Sequence, residues 1–278
     1  MVNNMRYFAK EIMVELEEVK EPALLWGYIP DNSGEIENDR EHPAVLILPG
    51  GGYEMTSERE GEAVALKFAS EGICTFVLKY HVSPARFPAA LCEALTALAF
   101  IRENSSEYHI DKGNISVCGF SAGGHLAAST GVHWNKEEIL KLIGKEAAAV
   151  RPDNLLLCYP VITSGEYTHE GSMRSLLGDK REDEKLFHFN SLEEQVAADT
   201  PRTFIWHTWN DDVVPVENTL SFITALAKNK VEAEVHIYPK GFHGLSLGNY
   251  LVNGGWSYGE DHPSSDWFQK AVRFLYDK

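Results

Sequence analysis

The chain has 278 residues, 25 Lys+Arg against 41 Asp+Glu, and a formal net charge of −16. A field that acidic repels phosphate backbones and anionic lipid, so neither nucleic acid nor a membrane is an expected partner. At 44% hydrophobic residues the chain can bury a large core, and its length is compatible with one domain, because α/β folds run to about 250 residues as a unit.

Residues 1–20 alternate charge with single apolar side chains and hold no run of about 7–15 apolar residues, so no export signal is expected. Residues 11–19 alternate apolar and polar side chains as a half-buried strand does, and residues 23–29 follow as a second strand before the turn-rich stretch 30–43. That pattern predicts an antiparallel opening. From residue 44 the style changes to short, continuous apolar runs at 44–48, 73–80, 115–118, 155–159, 203–207 and 234–238, which suit strands buried on both faces of a parallel sheet. Helix-period segments at 59–70, 88–104, 122–132, 216–229 and 264–276 alternate with them. The expected fold is therefore α/β, a mostly parallel central sheet with antiparallel opening strands and helices on both faces. The richest apolar stretch, 89–101, contains Glu93 and Thr96 and is too short to span a bilayer.

Residues 161–200 break the rhythm with a charge cluster at 179–185 and no strand-like run, which predicts a partly helical, cap-like insertion over the sheet's C-terminal edge. Its charges at 179–184 read as a flexible, solvated patch. A second irregular stretch, 244–263, is rich in Gly, Asn and aromatics and is expected to line the same edge. Cys74, Cys92, Cys118 and Cys158 lie far apart in apolar runs, without zinc-ligand spacing or a disulfide framework, and read as buried thiols of a cytoplasmic protein.

Gly119-Phe120-Ser121-Ala122-Gly123 sits between a buried strand and a helix, the context a nucleophile elbow requires. Glycines two positions before and after Ser121 remove side chains that would collide with the neighbouring strand and helix. The free N–H groups of the following helix's first turn, Ala122 included, carry partial positive charge suited to an oxyanion. Pro49-Gly50-Gly51-Gly52-Tyr53 ends the first buried strand, and its glycines let the N–H groups of Gly51 and Gly52 approach a substrate. A phosphate-binding loop is the weaker reading, since no Lys-Ser/Thr follows.

A serine hydroxyl needs a base, and the base needs a carboxylate, in the chain order Ser, acid, His. Asp211 and His243 each lie just past a core strand, at C-terminal strand ends, and are the expected acid and base. Asp212 is the close competitor for the acid and is expected to face solvent or the following backbone. Among the other histidines, His125 is expected inside the elbow helix facing the sheet, His236 mid-strand, and His207 packing against or orienting the acid loop. His42, His81, His109, His133, His169, His188 and His262 read as solvated turn or helix-end residues. Tyr53, Trp209, Trp256 and Tyr258 fall in segments that should border the pocket, where their rings could stack on a sugar or an aromatic acid or simply pack.

From residue 44 to the terminal helix the motifs resemble the α/β-hydrolase family, and more particularly its small carboxylesterases of the acetyl-xylan and feruloyl esterase type. PGGGY at 49–53, GFSAGGHLA at 119–127, HTWNDDVVPVEN at 207–218 and YPKGFHGLSL at 238–247 carry the likeness. It implies that Asp211 is the acid of a D-x-x-V-P pattern and His243 the base of G-x-H-G. Ser175-Leu176-Leu177-Gly178, Asn190-Ser191 and Thr200-Pro201 resemble the insertion of such sugar-ester enzymes. Many relatives carry His before the triple glycine; here Pro49 stands there, so the brace for the glycine loop must come from elsewhere. Ser121 in place of Cys argues against dienelactone hydrolysis. The resemblance implies a serine carboxylesterase that removes small, acetyl-like acyl groups from a small-molecule ester, an acetylated sugar or oligosaccharide, without metal or organic cofactor. The alternatives are a peptidase or amidase of the prolyl-oligopeptidase type using the same residues, or an inactive binding protein on the same scaffold. Hydrolases of this type often pair, which leaves a homodimer open.

Overall fold

The computed structural model describes residues 5–253 and 262–277. The chain opens on an antiparallel hairpin, β1 (Arg6–Ile12) and β2 (Ala23–Ile29), in which Ile12 faces Ala23. It continues through β3 (His42–Leu48), α1 (Glu62–Ala69), β4 (Cys74–Lys79), α2 (Ala89–Glu103), β5 (Ile110–Phe120) and α3 (Ala122–His133). After the short helices α4 (Glu137–Ile143) and α5 (Ala147–Val150) come β6 (Asn154–Cys158), α6 (Glu170–Leu177) and α7 (Glu184–Phe189). The chain then passes through β7 (Arg202–Thr208), α8 (Glu217–Lys228), β8 (Ala233–Tyr238) and α9 (Trp267–Tyr276).

Among the described residues the strands form one eight-stranded sheet in the order β1-β2-β4-β3-β5-β6-β7-β8. β2 pairs with β1 and β4 antiparallel, and every pairing from β4 to β8 is parallel. This is the mostly parallel α/β sheet with antiparallel opening strands that the alternation of apolar runs and helix-period segments predicts, and it agrees with the α/β-hydrolase fold that the resemblance implies. Side chains alternate between two cores because the strand period is two. Ala44, Leu46 and Leu48 of β3 join the core that packs α2, α3 and α8, whereas Val45 and Ile47 join the core that packs α1 and α9.

The strand order reverses at β3: β4 lies on one side of it and β5 on the other. In open parallel sheets such a reversal leaves a crevice outside the C-terminal ends of the two strands. Here those ends are Leu48, followed by the glycine loop, and Phe120, followed by Ser121, with Leu48 in register with Gly119.

The opening strand differs from expectation. Alternation predicts residues 11–19, but β1 is Arg6–Ile12 and residues 13–22 form the connection to β2. Ile12 and Val14 are buried as the alternation suggests, yet the chain must turn beyond them to bring β2 alongside β1. β1 is an edge strand with mostly exposed side chains, so it carries little apolar period. β5 begins earlier than the apolar run because Ile110 already pairs with His42 across an irregularity in register.

Residues 161–200 follow the end of β6 and carry α6 and α7, and the side chains described at 179–184 are exposed. Two buried histidines of α3 hold this segment down. His125 Nε2 bonds the Asn190 carbonyl at 3.0 Å, and His133 Nε2 bonds that of Phe189 at 3.0 Å while its ring stacks on Phe189 at 3.9 Å. His125 therefore contacts the inserted segment, and its other nitrogen meets the Tyr53 hydroxyl at 2.9 Å, where a sheet-facing position was expected. Burial pushes His125 down to about 4 and His133 down to about 3, against the raising effect of the two carbonyls.

Both groups are thus neutral in the folded chain and would protonate near 6.5 once unfolded, so their contribution is complete above that pH and is lost as acidification proceeds toward the folded values. Urea denaturation at pH 7 and pH 4.5 should show wild type losing on the order of 2–3 kcal/mol more than His133→Gln over that interval. Equal losses in the two proteins would contradict the assignment.

Candidate active site

Ser121 sits between β5 and α3 with φ 53° and ψ −119°, a conformation that L-residues rarely adopt. Three backbone hydrogen bonds hold it: its N–H donates to Cys158 O at 3.0 Å, and its carbonyl accepts from His125 N at 3.1 Å and Val161 N at 3.0 Å. The flanking glycines are required by contact. A Cβ on Gly119 would lie 2.1 Å from the Gly123 carbonyl oxygen, and one on Gly123 would lie 2.1 Å from that of Leu48.

Asp211 follows β7, and His243 follows β8 in a loop tied to the end of β7. The Thr208 hydroxyl donates to Gly241 O at 3.1 Å, and Gly241 N donates to Asn210 Oδ1 at 2.9 Å. The three side chains converge. His243 Nε2 lies 2.7 Å from Ser121 Oγ, and His243 Nδ1 lies 2.7 Å from Asp211 Oδ2. A carboxylate accepts only, so Nδ1 carries the imidazole proton and Nε2 presents a lone pair to the serine hydroxyl.

Asp211 is buried and Asp212 is exposed, which separates the two candidates for the acid. Asp211 Oδ1 accepts from Val213 N at 3.0 Å and Val214 N at 2.9 Å, and His207 Nε2 stands 3.3 Å from Oδ2. Burial alone would push this carboxyl up. Hydrogen bonds from His207 and His243, the attraction of His243 and the Val214 N–H outweigh it and hold Asp211 well below the usual carboxylate range. His207 itself bonds Val214 O at 3.0 Å and Thr219 Oγ1 at 2.8 Å, so it orients the acid loop, as its place at the strand end suggests.

The glycine loop has left-handed backbone at three successive residues, Gly51 (φ 127°), Gly52 (φ 65°) and Tyr53 (φ 57°). Such a backbone is open to glycine at little cost. A Cβ on Gly51 would lie 2.2 Å from Met55 O. Among the described residues neither Gly51 N–H nor Gly52 N–H meets a backbone or side-chain acceptor. Ala122 N–H, at the first position of α3, also has no partner within its helix.

The brace that Pro49 cannot supply comes from Glu60, which sequence reasoning left inside a charged helix start. Its carboxylate is buried; Oε2 accepts from Gly50 N at 2.8 Å and Oε1 from the Tyr159 hydroxyl at 2.6 Å. Burial pushes Glu60 above its ordinary value, while the Tyr159 and Gly50 hydrogen bonds and nearby His243 and Arg59 act the other way. Tyr159 (φ 37°) extends the network, its oxygen accepting from Ser246 N at 2.8 Å and its ring meeting the His243 imidazole edge-on at 5.1 Å. One buried carboxylate thus joins the glycine loop to the loop bearing His243. Nothing in the sequence sets Glu60 apart from Glu58 or Glu62.

Tyr53 and Trp209 are placed differently from one another. Trp209 is 62% exposed beside the acid loop, whereas Tyr53 is 2% exposed. The Tyr53 ring packs edge-on with Tyr80 and His125, and its hydroxyl is taken by His125, so it offers no face for a sugar to stack on. That corrects the expectation for Tyr53: the turn of the glycine loop directs its side chain inward. Trp256 and Tyr258 lie outside the described residues. Leu245, Ser246 and Leu247, at the start of the second irregular stretch, are buried.

A model of the BD-FAE family matches residues 32–226. The chain belongs to the BD-FAE family. Its similarity to endo-1,4-beta-xylanase B of Butyrivibrio fibrisolvens is 41% identity over 245 residues, 84% of this chain and 38% of that protein. The acetylxylan esterase of Xylanibacter ruminicola is 29% identical over 213 residues, 75% of this chain and 42% of that protein. The chain thus spans well under half the length of these two relatives. Among solved structures, the acetyl ester-xyloside bifunctional hydrolase from Caldicellulosiruptor lactoaceticus is 36% identical with a TM-score of 0.79, covering 95% of this chain and 91% of that one. The carboxylesterase Cest-2923 from Lactobacillus plantarum is 25% identical with a TM-score of 0.82, covering 100% and 98% respectively.

The BD-FAE chain's buried brace generates a stability test. Glu60→Ala removes the acceptor of a buried N–H and a buried hydroxyl and should lower the unfolding free energy by about 2–4 kcal/mol, with Glu60→Gln losing less. Chemical denaturation measures both, and an Ala variant as stable as wild type would contradict the brace.

Proposed function

We propose that the chain is a serine carboxylesterase that removes small, acetyl-like acyl groups from sugars or oligosaccharides, acting as one α/β-hydrolase unit with residues 161–200 as its cap. The unbroken hydrogen-bond chain from Ser121 Oγ through His243 to buried Asp211 carries this reading. Ser121 attacks the ester carbonyl while His243 takes its proton and Asp211 stabilises the imidazolium. The N–H groups of Gly51, Gly52 and Ala122 receive the developing oxyanion, each such donor contributing about 3 kcal/mol. His243 then returns the proton to the departing alcohol, leaving an acetyl-like group on Ser121. Water, deprotonated by the same imidazole, attacks that ester and releases the acid. No step calls for a metal or organic cofactor.

The names of the relatives support the substrate class: one is an acetylxylan esterase and another an acetyl ester-xyloside hydrolase. The four cysteines are buried and in no disulfide, which suits a reducing compartment and supports a cytoplasmic place. Among the described residues no helix is long and apolar enough to cross a membrane.

Hydrolysis of p-nitrophenyl acetate and of acetylated xylo-oligosaccharides should fall by about 10³-fold or more in Ser121→Ala. Aminoacyl anilides should be cleaved far more slowly than either ester by wild type. Full activity in Ser121→Ala, or anilides preferred over esters, would overturn the proposal.

A further inference from the structure

We propose that His169 is a substrate-binding residue whose Nε2–H donates a hydrogen bond to a hydroxyl of the ester's alcohol half, beside a polar cavity under the cap. The inference rests on the ester-hydrolysis reading above. It departs from the sequence expectation for His169, which was a solvated turn residue.

The tautomer follows from its neighbours. His169 caps the N-terminus of α6: its Nδ1 accepts from Ser172 N at 3.3 Å and lies 2.7 Å from Ser172 Oγ. A ring nitrogen that accepts a backbone N–H presents its lone pair, so in the neutral ring the proton is on Nε2. Among the described residues Nε2 has no hydrogen-bond partner. The ring is half-buried, and burial together with nearby His243 pushes its titration below the ordinary value, against Asp211 and Glu54, which keeps it a neutral donor.

His169 stands near the glycine loop and near an empty volume. Its hydrogen-bond partner Ser172 faces the glycine loop, since a Cβ on Gly52 would point to within 4.0 Å of Ser172 Oγ. Thr168 and Glu170, on either side of His169, line a cavity of about 690 Å³ that is also walled by Arg174 and Glu182 and by the apolar side chains of Met173, Leu177 and Phe187. An acetyl group needs little of that volume, and a wall that mixes hydroxyls, carboxylates and a guanidinium with apolar side chains suits a sugar, which has both hydroxyl edges and C–H faces, better than a fatty chain. On this reading the cavity takes the alcohol half of the ester, and His169, flanked in the chain by two of its lining residues and bonded to Ser172 beside Gly52, supplies the donor at the cavity's side of the glycine loop.

The test uses His169→Asn, because Asn keeps the helix cap while losing the reach of Nε2. The ratio of kcat/KM for an acetylated xylo-oligosaccharide to kcat/KM for p-nitrophenyl acetate should fall about tenfold in His169→Asn and be partly restored in His169→Gln. A ratio within twofold of wild type in His169→Asn overturns the proposal. Nitrogen NMR of the histidines in Ser121→Ala gives a readout that needs no turnover. His169 should be the Nε2–H tautomer and its resonance should move on titration with xylobiose; an Nδ1–H tautomer, or no movement, also overturns it. Wild type inactive on both esters would instead overturn the esterase reading, and the NMR titration would still decide the role of His169.

Discussion

The architecture depends on one strained residue held in a crowded place. Ser121, at φ 53°, occupies backbone space that costs about 1–3 kcal/mol for a residue with a side chain. The sheet supplies what holds it there: Cys158 O at the end of β6, Val161 N just beyond, and the first turn of α3. Gly119 and Gly123 let α3 approach β3 and β5 closely enough that any Cβ would strike a carbonyl. Because the parallel sheet reverses its order at β3, the hydroxyl so displayed opens onto a crevice already formed by the strand ends.

Two buried carboxylates then arrange the surroundings of His243 in different ways. Asp211, fed by two backbone N–H groups and two imidazoles, is held strongly anionic and orients the ring through Nδ1. Glu60 makes no hydrogen bond to His243; it ties Gly50 to Tyr159, and Tyr159 backs the imidazole and receives Ser246 N–H. Trp267 of α9 closes the same network from below, its indole donating to Ser246 O at 2.9 Å. On the proposed mechanism the oxyanion loop and the base loop are thus parts of one buried hydrogen-bonded frame, which explains how a chain with Pro49 ahead of its glycines keeps them in place.

Much of this was legible in the sequence because it is written in local patterns. Continuous apolar runs marked the strands from β3 to β8, and G-x-S-x-G, D-x-x-V-P and G-x-H-G marked where those strands end. What was not legible depends on distant partners. β1 is an exposed edge strand whose identity comes from its pairing with β2, so most of the visible alternation at 11–19 belongs to the largely exposed connection that follows it. Glu60 and Tyr159 lie 99 positions apart and resemble any charged helix start and any strand-end tyrosine. Tyr53 followed the glycines as a pocket residue should, but three successive left-handed residues turned it into the core. His169 looked like a turn histidine because it stands just ahead of α6, and its role at that helix's N-terminus shows only in its contact with Ser172.

The central claim is that Ser121 is activated by His243 in this frame. Peptide mapping by mass spectrometry after treatment with a fluorophosphonate tests it most directly. The account predicts a single phosphonylated serine, Ser121, formed rapidly in wild type and lost in His243→Ala. An unmodified Ser121, or equal labelling in both proteins, would contradict it.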